Sequence, residues 1–102
     1  MSIAILGYGV VGSGAYEVLK NAGYTVKRVL DIRPHEELGD ILTSNFDDIL
    51  NDDEIGIVAE AIGGVSISYK FVSAALAAGK HVVSSNKHLI CTYYEELLLP
   101  SQ

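Results

Sequence analysis

Residues 2–14, Ser-Ile-Ala-Ile-Leu-Gly-Tyr-Gly-Val-Val-Gly-Ser-Gly, constrain the fold more than any other stretch of the chain. A short apolar run stops at Gly7, three glycines follow with the spacing G-x-G-x-x-G, and helical periodicity begins directly after them. That order predicts a strand, a tight turn and a helix N-terminus in immediate succession. Each glycine has its own task in such a turn. Gly7 permits the sharp reversal, Gly9 has no side chain to hold a phosphate off the backbone, and Gly12 lets helix and strand pack closely. The helix end adds unpaired N–H groups and about half a positive charge. Glycines also gather in turns for steric reasons alone. Here the flanking strand and helix supply the context the motif requires, and the turn reads as a cradle for the pyrophosphate of a dinucleotide.

The bulk properties narrow the partners. At 102 residues the chain is one small domain, with enough apolar content for a packed core. A net charge of −6 repels phosphodiester backbones and anionic lipid, so neither nucleic acid nor a membrane is an expected partner. Cys91 is the only cysteine, which excludes an intrachain disulfide and a multi-cysteine metal site. It reads as a small apolar residue within a helix. The opening apolar run has no basic flank and is too short for a signal peptide, so a cytoplasmic location is expected.

Past the glycines, Ala15, Val18, Leu19 and Ala22 recur at helical spacing until Asn21-Ala22-Gly23 supplies a stop. Residues 25–31, TVKRVLD, are rich in β-branched side chains and read as a second strand. Asp31 ends it about 20 residues beyond the third glycine, where a dinucleotide fold places the acid that takes the adenosine ribose hydroxyls. Arg33 pulls the other way, because a guanidinium there suits a 2′-phosphate. Asp31 would repel that phosphate. The balance leans to NAD or to dual use, leaves NADP open, and fits a plain surface charge before Pro34 equally well.

Residues 34–39 read as an irregular polar connection, residues 41–45 as a short strand, and Phe46, Ile49 and Leu50 as one side of a small helix. Asp47 and Asp48 fall in its first turn, where the helix dipole favours them, and the stretch lacks the central glycine and closing glutamate of a calcium loop. Residues 56–62, GIVAEAI, form a nearly continuous apolar run, as in a parallel strand covered on both faces. Gly63-Gly64 ends the run with a second turn suited to close backbone approach. Glu60 is awkward inside it; an edge position or a cation partner would each accommodate the charge. A helix over residues 66–79 with Gly79 as its stop, a strand over 81–85, and a last helix over 87–99 capped by Asn86 complete the chain. His35, His81 and His88 show no partner pattern and read as surface or strand-end residues. The alternation predicts an α/β, Rossmann-type doubly wound, mostly parallel sheet in a single domain.

Three segments together resemble homoserine dehydrogenase: IAILGYGVVGSG at the start, IVAEAIGG followed by FVSAALAAGKHVV, and SSNKHLI. Many nicotinamide enzymes share the first, whereas the Glu-x-Ile-Gly-Gly turn and the Asn-Lys pair are more particular to that family. Ser84 and Ser85 stand where a threonine-alanine pair is usual. The resemblance spans essentially the whole chain. It implies that residues 1–102 are the NAD(P)-binding domain of an enzyme interconverting aspartate semialdehyde and homoserine, on the route to threonine and methionine.

The same resemblance implies that Gly7, Tyr8, Gly9, Val10, Val11 and Gly12 hold the pyrophosphate by backbone contacts. Gly63 and Gly64 would lie near the nicotinamide, and Asn86 would join the cofactor-binding set. Lys87 would move a proton to or from the substrate oxygen, although by position alone it reads as an exposed lysine in a first helical turn. The family's substrate-binding and dimer-forming domain is not within these residues. The expectation is therefore a nucleotide-binding lobe that is inactive alone. The alternatives are a stand-alone NAD(P)-binding or regulatory module, whose apolar Leu97-Leu98-Leu99 a second copy would cover, and a substrate domain on a separate chain.

Overall fold

The structure, a computed structural model, describes residues 2–62 and 65–84. Among them five parallel strands form one sheet: β1 (Ser2–Leu6), β2 (Val26–Leu30), β3 (Leu42–Thr43), β4 (Ile55–Glu60) and β5 (His81–Ser84). Helix α1 (Val10–Asn21) joins β1 to β2, α2 (Asp47–Leu50) precedes β4, and α3 (Val65–Ala77) joins β4 to β5. The spatial order is β3-β2-β1-β4-β5. The chain runs outward from β1 on one side, then returns to begin again on the other. That reversal between β1 and β4 is a topological switch point, which leaves a crevice at the carboxyl ends of the strands.

Alternation along each strand sends side chains to both faces. Ile5, Val26 and Val29 pack on one face with Leu38 and with Ala15, Tyr16 and Leu19 of α1. Ala4, Leu6, Leu30, Ile55 and Val58 pack on the other with Ile49 of α2 and Ala75 of α3, where the Phe46 and Phe71 rings lie 4.7 Å apart. Each fully buried Ile, Leu or Val contributes about 1.5–3 kcal/mol relative to exposure. Both faces being covered makes the sheet doubly wound, as expected. Both long helices also end where the sequence places a stop. The amides of Gly23 and Tyr24 bond back to Lys20 and Leu19, and those of Gly79 and Lys80 to Leu76 and Ala75.

The register matters for the site. Thr43, Leu30, Leu6, Glu60 and Ser84 are successive partners across the sheet, so the five strands finish in one row.

Two expectations change. Where an irregular connection is expected, 3₁₀ turns run over Glu36–Ile41, kinked at Gly39 (φ +54°), with Leu38 turned inward and buried. The short strand shrinks to Leu42–Thr43 because the Thr43 hydroxyl accepts the Asn45 amide at 3.1 Å and turns the chain away. The helix expected over 87–99 lies outside the described residues. No helix among the described residues is long and apolar enough to cross a membrane.

Candidate dinucleotide site

The three glycines differ in what constrains them. Gly7 sits at φ +94°, a left-handed conformation that side chains disfavour, and a Cβ there would lie 3.0 Å from Ile62 Cγ1 and 3.1 Å from the Ala61 carbonyl oxygen. A Cβ on Gly12 would collide with the Gly7 carbonyl oxygen. The turn's own conformation and the residues leaving β4 therefore demand Gly7, and the packing of α1 on the turn demands Gly12. Gly9 is extended with a negative φ, and among the described residues an added Cβ would meet nothing nearer than Arg33 Nη2 at 3.9 Å. The described residues leave the space in front of Gly9 open. Gly9 is also the N-cap of α1 and has no side-chain capping bond. The first helical bond runs from Ser13 N–H to the Gly9 carbonyl at 2.9 Å, so the amides of Val10, Val11 and Gly12 precede it and lack helical acceptors.

This turn forms one side of a crevice of about 410 Å³ at the carboxyl ends of the strands. Asp31, Ile32 and Arg33 contribute from the end of β2, and Ala61 and Ile62 from the end of β4, with Phe71 of α3 behind them. Its size and largely apolar lining suit a small organic ligand.

Asp31 is at the tip of β2 with its side chain 6% exposed, and it is heavily engaged. Its Oδ2 accepts the Tyr8 N–H at 2.9 Å and Arg33 Nη2 at 3.0 Å. Its Oδ1 accepts the Arg33 backbone N–H at 2.9 Å and Arg33 Nε at 3.2 Å. The Arg33 bonds, above all, hold the carboxyl well below the ordinary carboxylate range, against the opposing effect of burial. Arg33 is thus the partner of Asp31 rather than an independent surface charge, although its own side chain is largely exposed. The Tyr8 amide, expected to face the pyrophosphate, is committed to Asp31.

His35 also departs from expectation. Its side chain is only 18% exposed, its ring lies 4.7 Å from that of Tyr8, and Nε2 approaches Asp31 Oδ2 to 3.3 Å. Tyr8 packs edge-on against Tyr16 as well. The Pro34 turn that folds His35 back under the loop carries no periodic signal, so the contact was invisible in the sequence. His81 is an exposed strand-end residue as expected; His88 lies outside the described residues.

Just before the Ala61 and Ile62 that line the crevice, Glu60 is buried at the end of β4. Its Oε1 accepts the Ile62 N–H at 2.7 Å and its Oε2 accepts the Ser84 hydroxyl at 2.6 Å. The open question of how the apolar strand tolerates this acid is answered by bonds to both carboxylate oxygens. Lys80, marked by no motif, is buried at the opposite, amino end of the strands. Its Nζ donates to the carbonyls of Asp52 and Ile55 at 2.8 and 2.6 Å. A lysine directly after a helix-stopping glycine and before an apolar strand was the available signal. Gly63, Gly64, Asn86 and Lys87 lie outside the described residues.

A family model described as the homoserine dehydrogenase NAD-binding domain matches residues 7–101. The homoserine dehydrogenase of Bacillus subtilis (strain 168) is 32% identical over 111 residues, covering 94% of this chain and 26% of its own length. That of Pseudomonas aeruginosa is 32% identical over 110 residues, covering 95% and 25%. Among solved structures, a homoserine dehydrogenase from Thiobacillus denitrificans superposes with a TM-score of 0.85 at 34% identity, over 100% of this chain and 27% of that one. The S. aureus homoserine dehydrogenase at pH 6.0 gives 0.81 at 29% identity, over 95% and 28%. The chain spans about a quarter of the length of the curated relatives it matches. From its glycine turn to the residues beyond its last described strand, this chain belongs to the NAD-binding domain family of homoserine dehydrogenases.

Proposed function

We propose that this chain is the nucleotide-binding lobe, residues 1–102, of a homoserine dehydrogenase: it holds NAD or NADP across the switch point and turns over little or no substrate alone. One observation carries the reading. The only glycine of the motif not required by packing, Gly9, faces open space directly before a helix N-terminus. The Gly9, Val10, Val11 and Gly12 main chain takes the pyrophosphate, while Gly7 and Tyr8 set the turn, the latter through its bond to Asp31. Asp31 serves the adenosine ribose. Arg33 neutralises that acid, which removes the objection to a 2′-phosphate and supports use of both cofactors. Gly63, Gly64 and Asn86 complete the nicotinamide side, and Lys87 moves a proton at the substrate oxygen.

When bound, the dinucleotide supplies hydride carriage between aspartate semialdehyde and homoserine. This chain's part is to fix its orientation, since transfer demands near-attack geometry. A substrate-binding lobe, on the same or a separate chain, completes the clamp, and a homodimer and a cytoplasmic setting belong to the same proposal. The test is a titration with NADH and NADPH, read by nicotinamide fluorescence and by melting. At a hundredfold excess over Kd, ligand linkage stabilises by about 2.7 kcal/mol. Absence of any shift with either cofactor at millimolar concentration contradicts the proposal.

A further inference from the structure

Glu60 has no part in the pyrophosphate or ribose contacts, yet it occupies a costly position. It is 2% exposed at the end of an apolar strand, and an apolar residue of similar volume would satisfy the sheet as well. Its two oxygens reach in different directions along the chain. Oε1 holds the amide of Ile62 in the turn leaving β4, and the Ile62 side chain lines the crevice. Oε2 holds the hydroxyl of Ser84, its register partner and the last residue of β5. One carboxylate therefore ties the backbone leaving β4 to the last residue of β5. Asp31 and its network lie beyond β1 on the far side of the switch point.

We propose that Glu60 is a positioning residue for the nicotinamide half of the dinucleotide, acting through the Ser84 hydroxyl and the Ile62 amide to fix the two strand ends relative to each other. This rests on the cofactor reading above. It predicts a division that general stabilisation would not produce: contacts made by the nicotinamide half depend on Glu60, whereas those made by the adenine half do not.

The experiment titrates the 102-residue chain with NADH and, as a probe of the adenine half, with ADP. Ser84→Ala and Glu60→Gln are expected to weaken NADH about tenfold, the scale of one charge-assisted hydrogen bond, while ADP affinity holds within about twofold. Ser84→Thr restores the hydroxyl and NADH affinity with it. The Ser84 variants keep the test available if Glu60→Gln melts below the assay temperature. Unchanged NADH affinity in Ser84→Ala overturns the proposal, and so does an equal loss for NADH and ADP. A wild-type chain that binds neither ligand fails earlier, on the cofactor reading itself, before any variant is compared.

Discussion

The two ends of the sheet bury charge in different ways. At the amino end, Lys80 Nζ is bonded to two backbone carbonyls, and nearby Lys27 pairs with Asp52 at 2.7 Å and Glu54 at 3.2 Å. The Lys80 acceptors belong to the chain leading into β4 and cannot leave without unfolding it. At the carboxyl end, Asp31 is comparably buried, but its guanidinium partner is 60% exposed and lies beside an open crevice. Burial of a charge does not separate the two ends. What separates them is whether the partner can be exchanged for a ligand.

The largest expected effect contrasts the glycines within the carboxyl end. Gly12→Ala places a Cβ on the Gly7 carbonyl and is expected to cost about 3 kcal/mol or more, lowering Tm by more than about 10 °C in a domain of this size. A melting temperature within a few degrees of wild type would show that the turn relaxes freely, and the argument for its rigidity would fail.

Next comes Lys80→Met, which keeps the apolar stem and removes the ammonium. Leaving two carbonyls without their donor is expected to cost about 2 kcal/mol by chemical denaturation. Cofactor affinity of the folded protein should not change. A loss of affinity at unchanged stability would erase the distinction between the two ends.

Arg33→Ala acts on the exchangeable partner. It is expected to weaken NADPH about tenfold and to leave NADH unchanged or slightly tighter, because Asp31 is freed for the ribose. Equal weakening of both cofactors would remove Arg33 from cofactor choice. Its effect on stability should be small, since the guanidinium is exposed and screened. The sign with pH follows from Asp31, whose folded pKa is depressed chiefly by Arg33. The stabilisation is present above the unfolded carboxyl pKa, about 3.9, and fades as pH falls below it toward the depressed folded value. The stability gap between wild type and Arg33→Ala should therefore close in acid and not in base.

Much of the carboxyl end was legible in the sequence because its signals are local. Gly7, Gly9 and Gly12 sit between a strand and a helix within a few residues, and Asp31 follows at the spacing that one helix and one strand impose. The partners were not legible, because they are set by register and by turns. Ser84 reaches Glu60 only because β4 and β5 pair with those two residues aligned. Tyr8 spends its amide on Asp31 only because β1 and β2 end in the same row. The 3₁₀ turns on either side of Gly39 are too short for periodicity to declare them, and β3 was legible only with wider bounds.

The central claim concerns the open space before Gly9, and a Gly9→Leu variant titrated with NADH tests it most directly. Gly9 has a negative φ, and among the described residues beyond its chain neighbours none comes closer than 3.9 Å to an added Cβ, so the variant is expected to keep the wild-type melting temperature to within a few degrees. It is expected to lose nicotinamide fluorescence enhancement and ligand-induced stabilisation together. NADH binding by Gly9→Leu with wild-type affinity would place the dinucleotide elsewhere and contradict the assignment of this crevice.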